Sequence, residues 1–216
     1  MEILNYNPPM KPYLEIVSQD DDILVLNKPS GLLSVPGKEH ADCLQARVQR
    51  VFPTATVVHR LDMATSGLMV MALNKAAHRH ISKQFELRET AKIYQAIVFA
   101  DVQQDSGEIG LPLICDWPNR PKQMVDHEHG KKALTHWRVL ERNINTTRVE
   151  LKPVTGRSHQ LRVHMLSMHH PIIGDTLYAH DKALNMADRL NLHAMFLSFR
   201  HPVSEQTLQF ESEVPF

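Results

Sequence analysis

Six consecutive apolar residues, Leu68-Met69-Val70-Met71-Ala72-Leu73, follow directly on the polar stretch His59-Arg60-Leu61-Asp62-Met63-Ala64-Thr65-Ser66-Gly67. An apolar run of that length, bounded by turn residues, predicts a buried strand. One carboxylate and one guanidinium therefore sit in a loop beside a strand that must lie in a core. An Asp held there is not freely solvated, so desolvation or a paired cation sets its chemistry. A plainer reading stands beside this one, in which Asp62 caps a turn and Thr65 and Ser66 bond nearby backbone.

The rest of the chain reads as strands with a few helices. Residues 13–26 predict a hairpin around the polar turn Gln19–Asp22. Asn27-Lys28-Pro29-Ser30-Gly31 breaks it, and the apolar loop 32–37 that follows is expected to be buried or to line a cleft. Residues 42–52 predict a helix with Leu44, Val48 and Val51 inward and Arg47 and Arg50 on the other face. Asn74 is placed to cap a helix over 75–88 with Ala77, Ile81 and Phe85 as its apolar stripe. Residues 92–100 predict a central strand carrying Tyr94, a residue that could equally be a core tyrosine with a satisfied hydroxyl. Residues 101–131 look mostly irregular, although Trp117 beside prolines and bases is a plausible stacking surface.

Two more strands are expected over 133–140 and 147–152. After the turn at Thr155-Gly156, a helix is expected with Ser158, Leu161, Met165 and Met168 facing the core and His159, Arg162 and Leu166 on a neighbouring stripe. A short helix over 181–190 and strands over 192–199 and 207–210 complete the pattern. Strands outnumber helices without alternating regularly with them. The expected fold is therefore α+β, a mixed and mainly antiparallel sheet with flanking helices.

Several classes of protein find no support. There is no GxGxxG, no GxxxxGK[ST] and no GxSxG, so nucleotide-cofactor binding and serine hydrolysis lack their usual marks. His78/His80, His127/His129 and His169/His170 are close pairs, but no HExxH or Cys/His framework accompanies them, and no metal is expected. No stretch approaches a membrane span. Cys43 and Cys115 are far apart, and no secretory signal precedes the first strand, so a cytoplasmic protein is expected.

Charge is uneven within a neutral total. Residues 117–162 hold ten Lys/Arg against four Asp/Glu, while residues 1–42 hold three against seven. A basic middle of this kind can bind phosphates locally, although basic residues alternating on solvated strand faces would give the same count.

Four stretches, in order, resemble the RluA family of pseudouridine synthases. They are Asn27 to Gly37, His59 to Gly67, Lys92-Ile93-Tyr94-Gln95-Ala96, and Thr155 to His164 followed by His170 to Asp175. The resemblance runs from about residue 13 to the C-terminus. It implies a single catalytic domain over 13–216, in two sub-halves around a central RNA-binding cleft, after an extension of residues 1–12. Only a dozen residues precede the matched region, so the S4-like RNA-binding domain of larger relatives is not expected.

The resemblance also implies a reaction without cofactor, in which uridines of a 23S rRNA hairpin and of the tRNA anticodon stem-loop become pseudouridines. Asp62 would be the nucleophile, attacking the ribose C1′ or the uracil ring. Arg162 would pair with Asp62, and Tyr94 would stack on the base. Arg60 would fill the space left by the extruded nucleotide. His59, Arg120, Lys122 and Arg157 would bind the RNA, with the enzyme acting as a monomer. The alternative is an RNA-binding or RNA-chaperone protein on the same fold. A glycosidase would need a second carboxylate at a defined separation, and none is evident beside Asp62.

Overall fold

A computed structural model describes residues 6–216, so residues 1–5 of the expected extension lie outside the described residues. In chain order the first elements are β1 (Ile16–Gln19), β2 (Ile23–Lys28), α1 (Leu44–Gln49), β3 (Thr56–Val57), β4 (Ser66–Ala72) and α2 (Lys75–Leu87). Next come β5 (Ala91–Phe99), β6 (Ser106–Ile109), β7 (Leu113–Cys115), β8 (Gln123–Val125), β9 (Thr135–Asn143) and β10 (Thr146–Pro153). The last are α3 (Gln160–Ser167), α4 (Asp181–Leu184), β11 (Leu192–Arg200) and β12 (Thr207–Glu211). Two compact units result: one runs to Ala91 and takes in Ala194–Glu213, and the other comprises Lys92–His193 and Val214–Phe216.

In the first unit the strand order is β1-β2-β4-β11, with β12 beside β11 and β3 beside β4. β2 and β4 pair antiparallel from Ile23↔Ala72 to Lys28↔Gly67. Every residue of β4 is buried, as the apolar run requires. Val70 and Ala72 pack with Ile23 and Val25, with Ala77 and Ile81 of α2, and with Leu197 and Phe199 of β11. Each large aliphatic in that cluster contributes roughly 1.5–3 kcal/mol. α2 starts where predicted, with Asn74 Oδ1 accepting the Ala77 N–H at 2.9 Å, and ends at Arg88 in the left-handed region. Gly67 (φ 118°) is required where β4 meets β11, because a Cβ there would overlap the backbone of Ala194.

α1 corrects the expected face. Val51 is 61% exposed, whereas Arg47 is fully buried. The reason is polar satisfaction. Arg47 forks onto Asp42 at 2.9 and 2.7 Å and donates to the Pro9 carbonyl at 2.8 Å. It also lies over the Tyr13 ring. Burying a guanidinium is tolerable only with such partners. The pair holds the Asp42 carboxyl below the usual carboxylate range.

In the second unit the order is β5-β10-β9-β6, and β7-β8 form a separate hairpin. β5 pairs antiparallel with β10 from Phe99↔Thr146 to Tyr94↔Leu151. Its other edge is engaged too, since Ile97 donates to the Asn191 carbonyl and accepts from Ile173. Tyr94 thus sits on an internal strand, as predicted. The region 101–131 is less irregular than expected, because it holds β6, β7 and β8. α3 begins later than expected: Ser158 is exposed, and His159 at φ 52° precedes the first helical turn. The predicted helix over 181–190 shrinks to α4.

Candidate active site

The loop carrying Asp62 belongs to the first unit and is held by its main chain. Ser34 Oγ donates to the Leu61 carbonyl at 2.6 Å and accepts the Leu61 N–H at 3.2 Å. The Met63 carbonyl accepts from Lys28 Nζ at 3.1 Å and from the Gly31 N–H at 2.9 Å. Ser30 Oγ donates to the Ala64 carbonyl at 2.7 Å. Lys28 is fully buried and also donates to the Pro29 and Leu32 carbonyls, at 2.8 and 2.7 Å. Residues 28–34 therefore form a cradle on both sides of Asp62, whose side chain stays half-buried. The plainer turn reading is partly true as well, because the Thr65 N–H donates to the Asp62 carbonyl at 3.1 Å.

His59 and Arg60 enter this loop differently. The His59 ring stacks on Phe85 with centroids 4.4 Å apart, and its Nε2 accepts the Val70 N–H at 3.1 Å. The acceptor must be unprotonated, so this contact selects the tautomer with the proton on Nδ1. Arg60 is exposed, and no hydrogen bond or ion pair holds it among the described residues.

The second unit carries Tyr94 and the basic residues. Tyr94 is half-buried on β5. Arg162 on α3 is buried and forks onto Asp175, Nε to Oδ2 at 2.8 Å and Nη2 to Oδ1 at 2.6 Å. Exposure of the pair is 3% and 1%. Asp175 Oδ1 also accepts the Leu177 and Tyr178 N–H groups at 2.9 and 3.2 Å. A buried bidentate pair with its lone pairs taken up in this way fixes the guanidinium plane. Arg162 lies over the Tyr178 ring at 5.0 Å. Tyr178 Oη in turn meets His159 Nδ1 at 2.7 Å and accepts the Gln123 N–H at 2.7 Å.

Of the other basic residues, Arg157 is exposed and donates to the Lys132 carbonyl at 3.1 Å. Arg120 stacks on Trp117. Lys122 is half-buried just before β8.

Asp175, Tyr178, Lys28 and Ser34 were not singled out from the sequence. Asp175 lies 13 residues from Arg162, in a tight turn with no periodic link to the helix. Lys28 does carry a signal, a lysine closing an apolar strand before a proline, which a solvated side chain would not need. The histidine pairs bring no ligand set together among the described residues. Asp20, Asp22 and His201 do cluster, but Asp20 is committed to the Asp22 and Ile23 N–H groups.

The fold and these sites define a class. The structure resembles solved "Human RNA Pseudouridylate Synthase Domain Containing 1" with a TM-score of 0.81 and 29% identity, covering 97% of this chain and 87% of that one. The corresponding "Domain Containing 4" structure gives 0.76 and 26%, covering 93% and 88%. The family model "RNA pseudouridylate synthase" matches residues 22–167, and the chain belongs to that family. Its members are RNA pseudouridine synthases, which are isomerases, and the RluA resemblance of the four motifs holds along the whole chain. "Dual-specificity RNA pseudouridine synthase RluA" of Escherichia coli (strain K12) is 54% identical over 219 residues, covering all of both chains. The protein of that name from Haemophilus influenzae is 51% identical over the same coverage. No helix among the described residues is long and apolar enough to cross a membrane.

Proposed function

We propose that this chain isomerises uridines in two folded RNAs, a 23S rRNA hairpin and the tRNA anticodon stem-loop, with Asp62 as the nucleophile. The dual-specificity naming of its relatives fits two substrates. The observation that carries the role of Asp62 is the cradle of residues 28–34, which fixes the peptides around it while leaving the residue half-buried rather than sealed in the core. A nucleophile needs that combination, a fixed origin and an open path.

The carboxylate attacks the ribose C1′ or the uracil ring, and the C1′–N1 bond breaks. The ring turns, C1′ rejoins through C5, the bond to Asp62 breaks and frees the carboxylate, the C5 proton leaves and N1 takes one up. The fork with Asp175 occupies two of the five guanidinium donors of Arg162. In this reading the others face Asp62 and keep it ionised. Tyr94 stacks on the extruded base and serves the proton transfer. Arg60 enters the vacated space in the RNA, and His59 contacts the RNA. Arg120, Lys122 and Arg157 bind phosphates, and loop shape dominates recognition. The setting proposed is a cytoplasmic monomer acting in one catalytic domain.

The test uses in vitro transcripts of each stem-loop, with pseudouridine mapped after incubation. Conversion at a defined loop uridine in both transcripts is expected. Conversion in neither would overturn the assigned substrates.

A further inference from the structure

Trp117 is 63% exposed at the tip between β7 and β8. It does not sit on a loose loop. The Asp116 N–H donates to the Lys122 carbonyl at 3.0 Å, Asn119 to Asp116 at 3.0 Å, and Lys122 to Asn119 at 3.1 Å. The Asn119 side chain closes the ring of bonds on the Asp116 carboxylate at 2.9 Å. Pro118 and Pro121 remove backbone freedom that an ordinary tip would keep.

The base of the hairpin is anchored as firmly. Leu113 exchanges two backbone bonds with Lys131 and packs with Ala133 and with Val163 of α3, while Gln123 is tied to Tyr178. A rigid stalk on the Arg162 helix thus presents a large aromatic to solvent.

Arg120 covers one face of the indole, its guanidinium carbon 3.3 Å from the ring centroid. Among the described residues the other exposed large apolar side chains, such as Ile144, Val203 and Met10, are aliphatic or methionine and none is aromatic. An aromatic face backed by a cation, with Lys122 close by in the chain, matches a ligand that has both a π-face and a negative charge. That ligand is an unpaired nucleotide. An apolar protein patch would leave the two charges unused.

We propose that Trp117 and Arg120 form a stacking clamp for an unpaired loop base of the substrate RNA, other than the uridine that is isomerised. The base stacks on the indole, and Arg120 holds the ring from behind and meets the phosphate. This rests on the RNA-isomerase reading. It adds a residue that selects for splayed loops over duplex.

The test has separate readouts. Conversion of a stem-loop transcript by the wild-type chain scores the isomerase reading by itself. The chain has two tryptophans, and Trp137 is buried, so binding of the stem-loop should quench the emission of Trp117. That change should vanish in Trp117→Phe, with Trp137 still present. Trp117→Ala should raise KM about tenfold, the equivalent of ~1.4 kcal/mol, with kcat changed much less, and Trp117→Phe should recover most of the loss. One abasic loop position other than the target should reproduce the KM defect and add nothing to Trp117→Ala. An unquenched wild-type complex that turns over, or abasic effects that add fully to Trp117→Ala at every position, would overturn the clamp.

Discussion

The backbone of the loop around Asp62 and the head group of Arg162 on its helix are fixed by different means. The peptides on both sides of Asp62 are fixed from the preceding loop: Ser34, Ser30, Gly31 and Lys28 bind carbonyls and one N–H there. Arg162 is placed through its own head group, in a buried fork with Asp175. A peptide-held residue can be changed without unravelling its support. A fork-held residue cannot, because removing either partner strands a charge in the interior. The loop should therefore separate activity from stability, and the helix should couple them.

The largest effect should come from breaking the fork. Asp175→Asn is expected to cost about 3–5 kcal/mol of unfolding free energy, read by urea denaturation, and to lower turnover as the guanidinium loses its orientation. Replacing both partners by apolar residues of similar size should restore much of the stability and none of the activity. A stable and active Asp175→Asn protein would break the contrast.

Acid should find the second unit next. His193 is buried, and desolvation, helped by the nearby Arg189 charge, pushes it down to about 4. Its unfolded-state value is near 6.5, so between those values the unfolded chain carries the extra proton. Stability from this group is complete above pH 6.5, is lost as pH falls towards 4, and is flat below, a change of about 3 kcal/mol. His193→Gln should flatten that part of the profile. Burial also lowers His164, so it adds in the same direction.

The smallest effect should be Ser34→Ala. It leaves the Leu61 N–H and carbonyl without their side-chain partner, at a cost of about 1–2 kcal/mol. Turnover should fall more than RNA affinity, because the peptide frame under Asp62 loosens while the RNA contacts stay.

Much of this was legible in the residues. The all-buried β4, the Asn74 cap and the β9–β10 hairpin follow from local patterns that the tertiary structure reinforces. β7 and β8 were missed because strands of three residues show no period. Periodicity puts Arg47 on the outer face because it reports polarity alone, whereas the partners that bury it lie in Asp42 and in the carbonyls of residues 9 and 13. The role of Asp175 was hidden for the same reason. An ion pair across a helix and a distant turn leaves no mark in local sequence, whereas a nucleophile loop inside a long motif does.

Asp62→Asn tests the account most directly, in single-turnover reactions on the stem-loop transcript with RNA affinity measured in parallel. The amide is isosteric and its peptide neighbours keep their bonds, so the variant should fold and bind as before yet form no pseudouridine. Conversion at the wild-type rate would contradict the assignment of Asp62 as the nucleophile.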